Sequence, residues 1–529
     1  MSLSALGQTP GTVETISREL AYLSDPLVAY KKVASTNSLL LESAEIDSKD
    51  DLKSLILIDA ALRIECNGSQ VDIVATSENG ASLLPFLNTQ LADFIVTEEK
   101  TSLRVEFPQP DGNLDEDSRL KQPAVLDVLR AISNKITPIR DDNNAVFLAG
   151  VFAYDLIATF EQLPSVVKGK NTCADYVFYL AETLLLIDHK AKTTELLGSV
   201  FSGENVAQQY FKVSQQLESL THSLDDLSEV SFSESMADSP AVNTDKSDAE
   251  YCQDVLNLQK NILDGDIFQV VPSRTFSLPC EHPLLAYKRL KQTNPSPYMF
   301  YIQDKDFVIF GASPESALKY EQTSNQVEIY PIAGTRPRGK REDGTIDLDL
   351  DSRLELNLQQ DHKEKAEHIM LVDLARNDVA KVSVPGSRFV KDLLKVDRYS
   401  HVMHLVSRVV GQLRDDLDAL HAYQACMNMG TLVGAPKVSA AALVRQTEQA
   451  TRGSYGGAVG YLNGKGDFDT CIVIRSAFVK DNVAHIQAGA GVVKDSIPQS
   501  EADETRAKAQ AVIQAISTAN QALNSSEVK

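Results

Sequence analysis

The chain has 529 residues, 43% hydrophobic and 23% charged, the balance of an ordinary globular protein with ample material for a core. With 51 Lys and Arg against 73 Asp and Glu, the formal charge is −22, which argues against a nucleic-acid groove or an anionic membrane surface, since both need a basic face. An anionic small molecule stays open, because arginines and backbone N–H groups clustered at one spot outweigh the global field at short range.

The opening MSLSALGQTP lacks a basic start and an apolar core, so no secretory signal is expected. Residues 54–76 read as two strands around an Asn67-Gly68 turn. Further apolar strands are predicted over 147–154 and 176–188. The apolar stretch 147–160 carries Asp155 and is too short to span a bilayer. Residues 217–248 are rich in Ser and Asp and cannot offset their ordering entropy by burial, so they read as a polar linker. It separates a strand-rich region, 1–216, from a mixed region, 249–523, followed by a tail, 524–529. In the mixed region, helices are predicted over 249–264, 361–379, 415–427, 436–448 and 500–523. Strands are predicted over 267–279, 298–303, 306–310, 326–332, 456–462, 469–478 and 483–488. Strands often follow one another directly, so the expected class is α+β: a layered fold with large antiparallel sheets and helices packed between them. The six cysteines, Cys66, Cys173, Cys252, Cys280, Cys426 and Cys471, show no CxxC spacing and read as reduced thiols of a cytoplasmic protein.

Several residues stand out chemically. Glu364 with Glu367, and Glu501 with Glu504, are spaced to share a helix face. Hard oxygen ligands from two helices suit a Mg2+ ion shared with an anionic substrate. Acids after Ser500 equally fit ordinary helix capping. Gly489-Ala490-Gly491 follows an apolar strand and lets backbone N–H groups approach an anion, or simply makes a tight turn. In PIAGTRPRGK, Ala333-Gly334-Thr335 leads into Arg336, Arg338, Lys340 and Arg341, either a carboxylate site or a solvated loop. Arg475 sits in the strand-like run DTCIVIRSAF, where a buried guanidinium needs a partner, either a substrate carboxylate or a salt bridge. Glu315 in a turn, Thr431 in a loop, and His401 and His404 in HVMHLVSRVV have ordinary readings when each is taken alone.

Taken jointly, PIAGTRPRGK, DHKEKAEHIMLVDLARNDVAKV through VDRYSHVMHLVSRVVG, MNMGTLVGAPKVSA, RGSYGGAVGYL, DTCIVIRSA and QAGAGVVKDSIPQSEADETRAKA resemble the chorismate-utilising enzymes over about 250–520. Within that family the pattern is most similar to the anthranilate synthase large subunits. The resemblance implies an anthranilate/aminodeoxychorismate synthase-like fold, with Glu367 and Glu504 ligating Mg2+ and Glu364 and Glu501 lining the metal site. It implies that Gly334, Thr335, Tyr455, Arg475, Gly489, Ala490 and Gly491 bind chorismate. Ammonia would add at C2 as the C4 hydroxyl leaves, with Glu315 the general acid. His404, with Thr431 beside it, would assist proton transfer as pyruvate is eliminated. In water-adding relatives a lysine stands where this chain has Gln269, and in aminodeoxychorismate relatives a lysine stands where it has Ala333. Neither lysine is present, which leaves direct amination.

The same resemblance implies a glutamine amidotransferase subunit as ammonia source, in a heterotetramer of two large and two small subunits, with L-tryptophan as inhibitor. Leu40-Leu41-Glu42-Ser43 resembles the family's feedback motif, with Pro297, Tyr298 and Met299 as its partner and Lys53, Val459 and Tyr461 completing an apolar slot. The absence of tryptophan from the chain then fits an enzyme needed when tryptophan is scarce. Val433, Ser439 and His401 depart from common family residues and are expected to have small effects on partner contacts or tuning, without loss of activity. Competing readings are an aminodeoxychorismate synthase component and a non-catalytic tryptophan sensor of the same fold. Ala333 and the Leu40-Leu41-Glu42-Ser43 segment speak against the first, and the four glutamates with Arg475 speak against the second.

Overall fold

A computed structural model describes residues 3–43, 52–227, 241–341, 343–399 and 402–521. Its frame is one long antiparallel ladder. The strand Lys53–Asn67 pairs along its length with Tyr176–Asp188, and register slips between Leu57 and Leu62 bend the pair. The first half of Lys53–Asn67 pairs with Ser38–Glu42, which continues into Tyr298–Gln303, Val308–Ser313, Ser476–Lys480, Val483–Gly489 and Ser273–Pro279. On the other side, Tyr176–Asp188 pairs with Phe147–Phe152, then Ala458–Asn463, Phe468–Ile472, Ser316–Glu321, Gln326–Ile329 and Val402–Gln412. Both edges of the N-terminal ladder therefore run into strands of the C-terminal region, and the sheet is continuous across the polar segment.

Strand alternation sets the layers. Val177, Tyr179 and Ala181 meet Phe300, Ile302, Ile309, Val459 and Phe478 in a layer filled by strand side chains. The opposite parity, Tyr176, Phe178 and Leu180, packs under the helices Asp127–Ser133, His362–Val382 and Ala419–Cys426. Beyond the bend, Leu185 and Ile187 join Met299 and Tyr301 under Pro26–Val33, Val206–Asp225, Pro283–Thr293 and Pro498–Gln521. The class is α+β with large antiparallel sheets, as expected. No helix among the described residues is long and apolar enough to cross a membrane.

Several predicted elements are redrawn. The hairpin turns on Gly68-Ser69 rather than Asn67-Gly68, with Asn67 opposite Gln70 and Gly68 at φ +63°. The run 267–279 breaks at Pro272 into Gln269–Val270, paired with Gly434–Ala435, and Ser273–Pro279. A proline has no ladder donor, so the chain changes partner there. Val206–Asp225 runs into the expected linker, because Val213, Leu217 and Leu224 keep an apolar period inside a polar composition. Residues 228–240, and His401, lie outside the described residues. Val433 is buried in a cluster under the helix Lys437–Glu448, and Ser439 lies on that helix.

The two regions are also joined by a buried ion pair. Arg63 on the long strand donates to Asp304 in the turn after Tyr298–Gln303, Nε–Oδ2 2.8 Å and Nη2–Oδ1 3.2 Å, and Tyr179 donates to the same carboxylate. Asp304→Ala leaves the buried Arg63 guanidinium with only its ion pair to Glu65, at 2.6 Å, and is expected to lower stability by about 3 kcal/mol in urea unfolding. A loss under about 1 kcal/mol would show that this pair does not hold the regions together.

Candidate active site

Segments from across the C-terminal region converge on one cavity of about 450 Å³. The strand Ile332–Pro337 brings Ala333, Gly334 and Thr335. Gly334 stands at a register slip against Val402–Gln412 with φ +80°, and a Cβ there would meet Glu364 Oε2 at 3.1 Å and Leu358 Cδ1 at 3.2 Å. The slip turns Thr335 towards His404, with Oγ1–Nδ1 at 2.9 Å. Helix His362–Val382 contributes Glu364 and Glu367, and helix Pro498–Gln521 contributes Glu501 and Glu504. The turn after Val483–Gly489 supplies Gly489 and Gly491, the latter allowing Gln269 Nε2 to approach within 2.7 Å of where its Cβ would lie.

Like charge dominates the acidic wall. Burial and then the neighbouring Glu364 and Glu504 hold the Glu367 carboxyl above its usual range. Burial does the same for Glu501, with Glu504 adding to it and a hydrogen bond from Ser496 opposing it. This set of hard oxygens fits a divalent cation, which would relieve the repulsion. No group of three or more His, Cys, Asp or Glu side chains among the described residues is already drawn into coordination geometry. Part of the wall is neutralised from within the chain. Arg336 binds Glu364 at 2.9 Å and Asp361 at 2.7 Å, and Arg338 binds Asp351 at 2.9 Å. The basic run therefore serves the protein's own carboxylates.

Arg475 behaves differently. The predicted strand 469–478 breaks at 473–475, and Arg475 takes φ +50°, so its side chain leaves the sheet and enters the cavity. Its guanidinium makes no hydrogen bond or ion pair among the described residues. Burial lowers its pKa, which only Tyr455, Glu504 and Glu315 offset. An unpaired guanidinium in a cavity is a carboxylate receptor. Across from it, Glu315 is 8% exposed and accepts from Thr431 Oγ1 at 2.9 Å. Burial pushes its pKa up to about 7, against the Thr431 hydrogen bond and the charges of Lys508 and Arg475. His404 is pushed down to about 4, chiefly by burial, so its imidazole is neutral at neutral pH. Thr431 was expected beside His404; its hydroxyl serves Glu315, and His404 is held by Thr335 and packs edge-on against Tyr399 at 5.2 Å.

Of the predicted substrate contacts, Gly334, Thr335, Tyr455, Arg475, Gly489 and Gly491 line the cavity. Ala490 does not: it is fully buried behind the turn, its N–H donating to Pro272 O at 3.3 Å. A small residue there serves strand packing. Gln269 also lines the cavity, with Nε2 3.5 Å from Glu367 Oε1 and its own Oε1 buried without a partner among the described residues. Sequence reasoning missed Lys363, Gln487 and Lys508. Lys508 had a signal, its i+4 spacing from Glu504 on the same helix face. It binds Glu504 at 2.6 Å and Gly489 O at 3.0 Å.

A second cavity of about 450 Å³ collects Glu42, Ser43, Lys53, Tyr298, Met299, Val459 and Tyr461, together with Phe147, Asn463, Asp469 and Cys471. Tyr461 stacks on Phe147 at 5.2 Å, and Tyr298 Oη donates to Asp469 at 3.1 Å. Two predicted contacts change. Pro297 is buried at the strand entry and is not part of the lining. The Glu42 carboxylate turns to the other face of its strand, to Tyr287 Oη at 2.6 Å and Lys291, which leaves its backbone to the cavity.

This fold and cavity define a class. A family model described as chorismate binding enzyme matches residues 89–514, and the chain belongs to that family. It is 57% identical to anthranilate synthase component 1 of Vibrio cholerae over 512 residues, covering 96% of this chain and 97% of the relative. It is 54% identical over 516 residues to anthranilate synthase component 1 of Escherichia coli, covering 97% and 98%. The crystal structure of anthranilate synthase component I from Streptococcus pneumoniae superposes with a TM-score of 0.70 at 26% identity, covering 94% of this chain and 99% of that one.

The buried Glu315 carries a stability signature. Its folded pKa of about 7 lies above the unfolded value near 4.5, so its contribution is intact below pH 4.5 and is lost as pH rises through 7. Glu315→Gln removes that loss. The variant should therefore gain stability over the wild type between pH 5 and pH 8, on the order of 3 kcal/mol by denaturant unfolding. A difference that is flat with pH would place Glu315 in contact with solvent.

Proposed function

We propose that this chain is the chorismate-binding component of an anthranilate synthase, converting chorismate and ammonia to anthranilate, pyruvate and water. The observation that carries the reading is the joint lining of one cavity: four glutamates, an unpaired Arg475 and a neutral-pH acid, Glu315, with Gln269 and Ala333 at the two positions where relatives with other outcomes carry lysine.

The residues divide the chemistry as follows. Arg475 takes a substrate carboxylate in a fork, and Thr335 with the Gly489 and Gly491 backbone frames the ring. A Mg2+ ion held by Glu367 and Glu504, with Glu364 and Glu501 behind them, would neutralise the ring carboxylate and polarise the ring. Gln269 Oε1 is a buried acceptor with no partner among the described residues, suited to an ammonia N–H. As ammonia bonds to C2 the ring double bond shifts and the C4 hydroxyl departs. Glu315, protonated up to about pH 7, gives it the proton that makes water. Loss of the C2 proton then aromatises the ring and the enolpyruvyl group leaves as pyruvate. Neutral His404 is the base in reach of that step, oriented by Thr335.

Ammonia is expected from a glutamine amidotransferase partner. Burial holds the thiols of Cys66, Cys173, Cys280 and Cys426 up, and among the described residues no cysteine lines the active cavity, so none is poised to attack glutamine. We place the protein in the cytoplasm, in a tetramer of two such chains and two partners. The second cavity, an aromatic slot with polar ends, is proposed as the site of L-tryptophan feedback.

Incubating the chain with chorismate, Mg2+ and ammonium at alkaline pH should yield the fluorescence of anthranilate, and 4-amino-4-deoxychorismate in its place would refute the reading. Glu504→Gln should abolish turnover and leave tryptophan binding unchanged. The chain contains no tryptophan, so indole emission reports the bound ligand directly. Ser43→Phe should weaken that binding and relieve inhibition by more than about tenfold, the loss expected on filling a slot; unchanged inhibition would move the effector site elsewhere.

A further inference from the structure

Among the described residues, the two largest fully buried side chains are arginines, Arg274 and Arg452. Arg274 braces the acidic helix, donating to Thr505 Oγ1 at 2.8 Å and Ala502 O at 2.9 Å. Arg452 does not itself line the active cavity, yet it contacts two residues that do, Leu432 and Tyr455. It is 1% exposed and forks onto Glu448, Nε–Oε2 2.8 Å and Nη2–Oε1 2.6 Å. Its remaining donors go to two backbone carbonyls, Nη1 to Leu432 O at 2.8 Å and Nη2 to Val271 O at 2.6 Å. Its guanidinium lies between two rings, 4.5 Å from the centre of Tyr154 and 5.5 Å from that of Tyr455.

Three of these contacts lead to residues of the site. Leu432 follows Thr431, whose hydroxyl holds Glu315. Tyr455 lines the cavity with its hydroxyl over Gly489, where a Cβ would lie only 3.1 Å from Oη. Glu448 Oε1 also accepts from Ser273 N at 2.8 Å and Ser273 Oγ at 2.7 Å, and Ser273 Oγ accepts from Gln487, another lining residue, at 2.8 Å. A lone buried cation would be costly. A bidentate carboxylate, two carbonyls and two ring faces satisfy it and fix its plane.

We propose that Arg452 is a positioning residue for the reaction, holding the Thr431–Leu432 turn, and through it the Glu315 carboxyl, in register with Tyr455 and Gln487 on the facing walls. This rests on the reading that Glu315 is the acid. Lysine cannot reproduce the fork, so in Arg452→Lys the Leu432 carbonyl or the Val271 carbonyl loses its donor and the turn relaxes.

The test is a double-mutant cycle on anthranilate formation from chorismate, Mg2+ and ammonium, with thermal unfolding followed in parallel. Arg452→Lys is expected to lower kcat by roughly 10- to 100-fold with KM within about threefold, the scale for misplacing a catalytic group by about 1 Å. Thr431→Val, which keeps the shape and removes the hydroxyl, breaks the link. In that background Arg452→Lys should cost less than about threefold more. An undiminished kcat in Arg452→Lys, or the full loss in both backgrounds, overturns the proposal. If Arg452→Lys does not unfold cooperatively, Glu448→Gln weakens the same anchor at constant shape and is read through the same cycle. A wild-type chain that forms no anthranilate would instead sink the functional reading on which the cycle depends.

Discussion

Electrostatic repulsion on one cavity wall is the constraint around which the site is built. Glu364, Glu367, Glu501 and Glu504 face a common space inside a chain of formal charge −22, and the proposed substrate is itself an anion. Three devices oppose the repulsion. Arg336 and Lys508 pair with the outer members, Glu364 and Glu504. Burial raises the pKa of Glu367 and of Glu501, which weakens their charge in the absence of a cation. The Arg475 guanidinium has no hydrogen-bond or ion-pair partner among the described residues, in contrast to Arg336 and Lys508, which are paired with the protein's own acids.

The two cavities are built from the same strands. Tyr298 lines the second cavity and pairs with Ser313, two residues before Glu315. Cys471 lines the second cavity, and three residues after the following Ile472, whose N–H donates to Glu315 O, the chain turns out at Arg475. Val459 and Tyr461 line the second cavity on the strand that begins just after Tyr455. A ligand that shifted these strands in the second cavity would therefore act on the acid, the anion receptor and the aromatic wall together. That is the physical content of a coupling between distinct sites.

Buried arginines recur wherever the chain must bring distant segments together. Arg63 ties the long N-terminal strand to Asp304, Arg445 reaches Asp155 at 2.8 Å, and Arg274 and Arg452 brace the walls of the active cavity. In each case the planar fork satisfies carboxylates or carbonyls from segments far apart in sequence. A hydrophobic contact of the same size would fill the space and leave direction unspecified.

Local pattern determined the elements whose period was clean. The strand over 176–188, the strand over 298–303 and the helix Lys437–Glu448 were legible from alternation or helical spacing alone. The four glutamates and Gly334 were legible as candidates, and their joint use came from resemblance to a family. Tertiary structure decided the rest. Composition hid the apolar stripe of Val206–Asp225, and Pro272 split a run that looked continuous. Only packing across the sheet showed that Thr431 serves Glu315, that Ala490 faces the core and that the Glu42 carboxylate turns away from its cavity. The physical reason is range. Periodicity and turn chemistry act within a few residues, whereas partners of a side chain such as Glu315–Thr431 or Arg63–Asp304 lie far along the chain and are chosen by how the sheet closes.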